Sequence, residues 1–117
     1  INIGTNDIWT EEDKGPNKAF DADVFRQSYV DMVKELHRLW GEDTVFVLCT
    51  SMLADDLDEH IIAVADELCG MDVNAHVVDL PMFRKGGHPD YKAHFEAADV
   101  LKSAIIDTLG LDVSDAE

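Results

Sequence analysis

Two short islands in the chain have residue types and spacing suited to chemistry at a carbonyl carbon. The first is Gly4-Thr5-Asn6-Asp7, which directly follows the apolar start Ile1-Asn2-Ile3. Ile1–Ile3 reads as the tail of a buried strand. The turn therefore presents an amide side chain at a strand's carboxyl end, where open α/β sheets bind ligands. The side-chain N–H of Asn6 could stabilise a developing oxyanion, an effect worth about 3 kcal/mol in the barrier. Taken alone, Gly-x-Asn-Asp equally suits a turn residue chosen for local hydrogen bonds. The second island is Gly86-Gly87-His88-Pro89. Pro89 pushes His88 toward extended backbone and suits the first position of a helix. The imidazole would then project from the rim of a sheet, as a general base must; the competing reading is an ordinary surface histidine. Trp9, just beyond Asn6, could wall a substrate pocket or pack as a lid on its own loop. Trp9 and Gly4 are the candidate substrate-binding residues.

An oxyanion donor and a base call for a nucleophile, and none stands out. Ser28 and Ser103 fall in helical patterns and Ser114 in the tail. Ser51 follows a strand end, but Cys49-Thr50-Ser51-Met52-Leu53 lacks the Gly-x-Ser-x-Gly elbow. Of the other histidines, His37 and His60 fall on charge-rich helices, His76 reads as a buried strand residue, and His94 as packed on the last helix. Cys49 and Cys69 read as reduced packing residues. No Cys-x-x-Cys or His-x-x-x-His spacing marks a metal site, and no cofactor is expected.

The elements that must carry the two islands follow from periodicity. Trp9 to about Asp23 is polar, contains Gly15-Pro16-Asn17, and reads as a loop over the top of the sheet. Phe25, Tyr29, Met32, Val33, Leu36 and Trp40 recur at helical spacing, with Asp21 or Asp23 as a cap and Gly41 after the end. Val45–Cys49 is a continuous apolar run suited to a parallel strand covered on both faces. Ile61, Val64, Ala65 and Leu68 give a second helix closed by Gly70, and Val73–Val78 a further strand. A last helix from near Pro89 carries Tyr91, His94, Phe95, Ala98, Leu101 and Ile105 on one face. The tail Asp112–Glu117 is acidic and expected to fray. Alternating strands and helices predict a parallel sheet with right-handed crossovers.

The chain has 117 residues, 46% of them hydrophobic, enough for one core. Three strands, the first a stub, make a poor free-standing sheet. The chain is therefore expected to be the C-terminal portion (1–117) of one domain, its open edge paired with strands supplied elsewhere. With 25 acidic against 9 basic residues the formal charge is −16. Such a surface repels nucleic-acid backbones and anionic membranes. It leaves neutral or cationic small molecules, neutral polymers or another protein as partners, or serves only solubility. No run of about 18 apolar residues marks a membrane span. There is no signal-peptide pattern, and the localisation stays open.

Together the islands resemble the SGNH, or GDSL, hydrolase superfamily. Gly4-Thr5-Asn6-Asp7 matches its Gly-x-Asn-Asp block, and His88-Pro89 matches the His end of its C-terminal Asp-x-x-His block. His88-Pro89-Asp90-Tyr91-Lys92-Ala93-His94 looks most like carbohydrate esterase family 2, whose members remove acetyl groups from plant cell-wall sugars. The resemblance implies a three-layer α/β/α sandwich with a parallel sheet, flavodoxin-like, of which this chain is the second half. It implies a serine esterase acting on small acyl, above all acetyl, esters of carbohydrates. His88 would be the base and Asn6 the oxyanion donor, with no metal or cofactor. The Gly-Asp-Ser nucleophile would come from an N-terminal segment or chain outside this sequence. Lys85 stands where the superfamily usually has Asp, so a backbone carbonyl is expected to orient His88, giving a Ser–His dyad; Asp79 or Asp90 would make it a triad. The alternatives are a lipid esterase or thioesterase of the same superfamily, and a non-catalytic carbohydrate-binding or interaction protein on the same fold.

Overall fold

The computed structural model describes residues 1–114. Its centre is a pair of parallel strands, β3 (Val45–Cys49) and β4 (Asn74–Val78), in register from Val45↔Asn74 to Cys49↔Val78. Ile1 lies along the other edge of β3. Its amine donates to the Val47 carbonyl at 2.6 Å and its carbonyl accepts from the Cys49 N–H at 2.7 Å. The next N–H, of Thr50, turns the opposite way, to the Val78 carbonyl. The expected strand at Ile1–Ile3 is thus a single paired residue before the chain turns at Gly4.

Two long helices pack on one face. Helix α2 (Ala22–Trp40) is started by Asp21, whose carboxylate accepts from the N–H groups of Asp23 and Val24, satisfying two donors that the helix leaves free. Helix α3 (Asp58–Gly70) follows a 3-10 turn at Asp55–Leu57. Tyr29, Val30 and Val33 of α2 meet Ile61, Val64 and Leu68 of α3 over Phe46, Leu48 and Ala75 of the strands. Met32 and Trp40, expected inside, are 36% and 65% exposed. Val30 takes the core place, and Trp40 stacks from outside on Phe46 at 6.3 Å.

Helix α4 (Tyr91–Leu109) covers the opposite face with a narrow row, Ala93, Ala97, Leu101 and Ala104, packed on Val47, Cys49, Met52, Val78 and Leu80. This corrects the expected face. Tyr91 and Phe95 are 68% and 70% exposed, and His94 and Ala98 are exposed as well. Both rows have helical period, and the alanine row lets the helix lie close to the sheet. The helix also begins at Tyr91 rather than at Pro89, because Asp90 caps it through the Ala93 N–H at 2.9 Å.

The expected loop after Trp9 contains a small antiparallel hairpin, β1 (Trp9–Thr10) with β2 (Gly15–Pro16). Its tip is held by Thr10 and Asp13, whose side chains bond each other at 3.1 Å. Of the acidic tail, 111–114 is neither helix nor strand, and 115–117 lie outside the described residues. No helix among the described residues is long and apolar enough to cross a membrane.

Leu48 is 0% exposed at the centre of the strand pair. Leu48→Ala removes its buried methyl groups and leaves a cavity, so it should lower unfolding stability by about 2–5 kcal/mol. Urea unfolding should show a reduced midpoint with an unchanged slope.

Candidate functional site

The chain's two islands lie at one end of the parallel strands, and the segment leaving β3 holds both. Gly4 opens the first. It is buried with φ 109°, and a Cβ there would stand 3.0 Å from the Phe25 ring and 3.1 Å from Leu57 Cδ1. Only glycine accepts that backbone and that contact together. Gly4 is thus a packing residue of the turn, enclosed by Phe25 and Leu57. After it comes one helical turn, α1 (Thr5–Ile8). Asn6 is its second residue and is exposed. The side chain of Thr5 meets Ser51, just past β3, with Oγ–Oγ 2.7 Å. The downstream end is held by Asn17, whose Nδ2 donates to the Asp7 carbonyl and whose N–H donates to the Ile8 carbonyl, both at 2.8 Å. Trp9 begins the hairpin and is 45% exposed.

His88 lies on the stretch that leaves β4. Gly86 and Gly87, at φ 81° and 71°, turn the chain before it. The Phe83 N–H donates to the Met52 carbonyl at 2.8 Å, and Arg84 faces Asp55 at 3.8 Å. Ser51 therefore anchors the Asn6 turn while Met52 anchors the His88 loop. His88 is exposed. The two carboxylates considered for orienting it have other partners: Asp79 accepts from the Thr50 hydroxyl at 3.0 Å, and Asp90 caps α4. Among the described residues the His88 ring makes no hydrogen bond.

Asn6, Trp9 and His88 share an end of the sheet, and two grooves lie nearby. One groove, of about 350 Å³, runs between Ile3, Asp7, Phe20, Val24, Phe25 and Met32. A second, of about 430 Å³, lies between Ile8, Pro16, Phe20 and His60. Neither is lined by Gly4, Asn6, Trp9 or His88.

No serine among the described residues is placed as a nucleophile beside His88. Ser51 is 2% exposed with its oxygen fully engaged, while Ser28 and Ser103 are exposed on α2 and α4. Burial pushes the Cys49 thiol up, the opposite of activation. No cluster of three or more His, Cys, Asp or Glu among the described residues could hold a metal.

His60 lies on the charge-rich helix α3, as expected, but the expectation did not include its burial. It is 8% exposed, and its Nδ1 accepts from Arg26 Nε at 3.0 Å. Its ring lies against Phe20 and Phe25 at 5.5 and 6.4 Å. The signal was its spacing of four from Val64, which puts it on the buried stripe. His76 is half-buried, bonded to Asn74 at 2.6 Å. Sequence reasoning also missed the holding roles of Thr5, Ser51 and Thr50.

No family model matches the chain, and no curated protein does. Among solved structures it is similar to the crystal structure of a Corynascus thermopiles (Myceliophthora fergusii) carbohydrate esterase family 2 enzyme with a carbohydrate binding domain. The TM-score is 0.79 at 24% identity, over 95% of this chain and 36% of that one. The chain thus spans about a third of that structure's length and shares the fold of that part, an α/β arrangement of parallel strands and helices.

Negative charge gathers beside the β3 exit. Burial raises the Asp58 carboxyl above its ordinary range, and Asp79, Asp55 and Asp56 push it further the same way. Among the described residues, Oδ1 of Asp58 is buried without a hydrogen-bond partner. The folded chain therefore favours the protonated form more than the unfolded chain does. The stability this confers is fully present below the ordinary carboxylate value and is lost as pH rises through the raised one. Asp58→Asn should therefore be more stable than the parent at neutral pH. The advantage should vanish on acidification below the ordinary carboxylate range, as read by thermal unfolding across pH.

Proposed function

We propose that this chain supplies the base and the side-chain oxyanion donor of an SGNH-type serine esterase. The complete domain is a three-layer α/β/α sandwich, and the nucleophile sits in a Gly-Asp-Ser motif on a segment outside these 117 residues. The observation that carries the reading is the β3 exit, which holds the Asn6 turn through Ser51 and the His88 loop through Met52. His88 takes the serine proton as the hydroxyl attacks the acyl carbon, then returns it to the leaving alcohol. The Asn6 side-chain N–H donates to the oxygen that becomes negative in the tetrahedral intermediate. Gly4 shapes the turn beside the acyl group, and Trp9 walls the substrate.

The substrate class we favour is a small acyl, above all acetyl, ester of a carbohydrate. The likeness in fold to a carbohydrate esterase supports it, as does a formal charge of −16, which suits a neutral sugar better than a phosphorylated one. A lipid esterase or thioesterase would instead hydrolyse long acyl esters as readily as acetyl esters. With Lys85 unable to accept a hydrogen bond and the side-chain bonds of Asp79 and Asp90 among the described residues going to Thr50 and Ala93, a main-chain carbonyl near Lys85 is the proposed partner of His88 Nδ1. One observation favours a second reading, a non-catalytic carbohydrate-binding protein: His88 is exposed, and among the described residues no hydrogen bond holds its ring.

An activated acetyl ester tests the choice, using the longest native protein that contains this sequence. His88→Ala should lower kcat by several orders of magnitude. Asn6→Ala should lower it by roughly a hundred- to a thousandfold, with little change in KM. Lys85→Ala should change little. An unmodified protein that binds carbohydrate but turns over no ester would establish the second reading instead.

A further inference from the structure

The Asn6 turn cannot hold its own shape. Helix α1 has four residues, too few to persist without outside support. Downstream it is pinned by Asn17. Upstream, the polar anchor is the contact between Thr5 and Ser51, which spans 46 residues of sequence.

The direction of that contact follows from counting. A serine hydroxyl has one hydrogen and two acceptor positions. Ser51 Oγ already accepts from the Leu53 N–H at 3.0 Å and the Ala54 N–H at 3.2 Å. Its hydrogen is what remains, so Ser51 donates and Thr5 Oγ1 accepts. Ser51 is 2% exposed, so its side of the bond is closed to water. The oxygen is thus fixed by three bonds, and it fixes in turn the residue directly before Asn6. Gly4, wedged between Phe25 and Leu57, stops the turn from sliding toward the core.

We propose that Thr5 and Ser51 are positioning residues for Asn6: the Ser51 hydroxyl, locked on the β3 exit, holds the Asn6 amide at the height where the oxyanion forms. This rests on the reading of Asn6 as an oxyanion donor. An error of even an ångström in such a donor weakens a bond that counts mainly in the transition state. The loss therefore falls on kcat and leaves KM alone.

Thr5→Val is the cleanest probe, since it keeps the branched shape and removes the acceptor oxygen. Measured on the longest native protein containing this sequence, with an activated acetyl ester, it should lower kcat by about tenfold with KM nearly unchanged. Thr5→Ser restores the oxygen and should restore kcat. In an Asn6→Ala background, Thr5→Val should have little further effect, because there is no amide left to position. Ser51→Ala should match Thr5→Val in kcat where its melting temperature shows it folded; it also strips Leu53 and Ala54 of their acceptor, so Thr5→Val decides where it does not fold. Equal losses in Thr5→Val and Thr5→Ser, or a full tenfold loss in the Asn6→Ala background, would overturn the positioning role. A large loss in Asn6→Ala with none in Thr5→Val would overturn it while leaving the oxyanion assignment intact. No loss in Asn6→Ala would overturn both.

Discussion

The organisation of this chain depends on two hydroxyl residues at the exit of β3. Thr50 and Ser51 are each 2% exposed, and a buried hydroxyl must find partners or cost stability. The Thr50 oxygen accepts from the Leu80 N–H at 2.8 Å and donates to Asp79 at 3.0 Å. This folds the exit of β4 back onto the exit of β3. Ser51 turns the other way and takes Thr5. Two adjacent residues thus tie the start of the β4 exit and the Asn6 turn to the β3 exit, one on each side. A single such bond contributes about 1 kcal/mol net, but losing one partner exposes the full cost of the stranded group. The constraint comes more from that asymmetry than from the strength of any bond.

Much of the fold was legible in the sequence. The run Val45–Cys49 is a strand with those bounds, and Asp21 caps α2 as expected. These features are local: an apolar run or a cap is decided by its own neighbours. Misreadings came where the choice depended on a distant surface. On α4, large apolar residues and alanines both recur at helical spacing. Nothing in the sequence says that the close approach of α4 to Val47 and Val78 selects the alanines. His60 was read only as a member of a charge-rich helix, and its burial against Phe20 and Phe25 depends on residues 35 to 40 positions away in sequence.

The candidate site was legible as residue types and not as an arrangement. Asn6 and His88 could be picked out because turn chemistry singles them out: a Gly-x-Asn-Asp turn and a Gly-Gly-His-Pro loop. Ser51 looked like a failed nucleophile, lacking an elbow, because its function is to bond Thr5 across 46 residues. The same limit explains the acidic end. Asp55, Asp56 and Asp58 are close in sequence, but Asp79 joins them only through the parallel pairing of β3 and β4; burial raises the Asp58 carboxyl, and the other three carboxylates add to it.

Two kinds of force act on the Asn6 turn, and they are not interchangeable. Packing sets what the turn cannot do. Gly4 has no space for a Cβ beside Phe25 and Leu57, so the backbone cannot move inward, but apolar contacts are non-directional and leave the turn free to rotate about that point. The Ser51–Thr5 bond is directional, with an optimum near the 2.7 Å observed, and it removes that rotation. The oxyanion donor proposed at Asn6 would need both restraints, because its contribution depends on distance and angle together. The same division explains why the anchor belongs on the β3 exit. Phe46 and Leu48 hold β3 rigidly in the core, so the Ser51 hydroxyl, three residues beyond Leu48, inherits that rigidity and passes it to a turn with almost no core of its own.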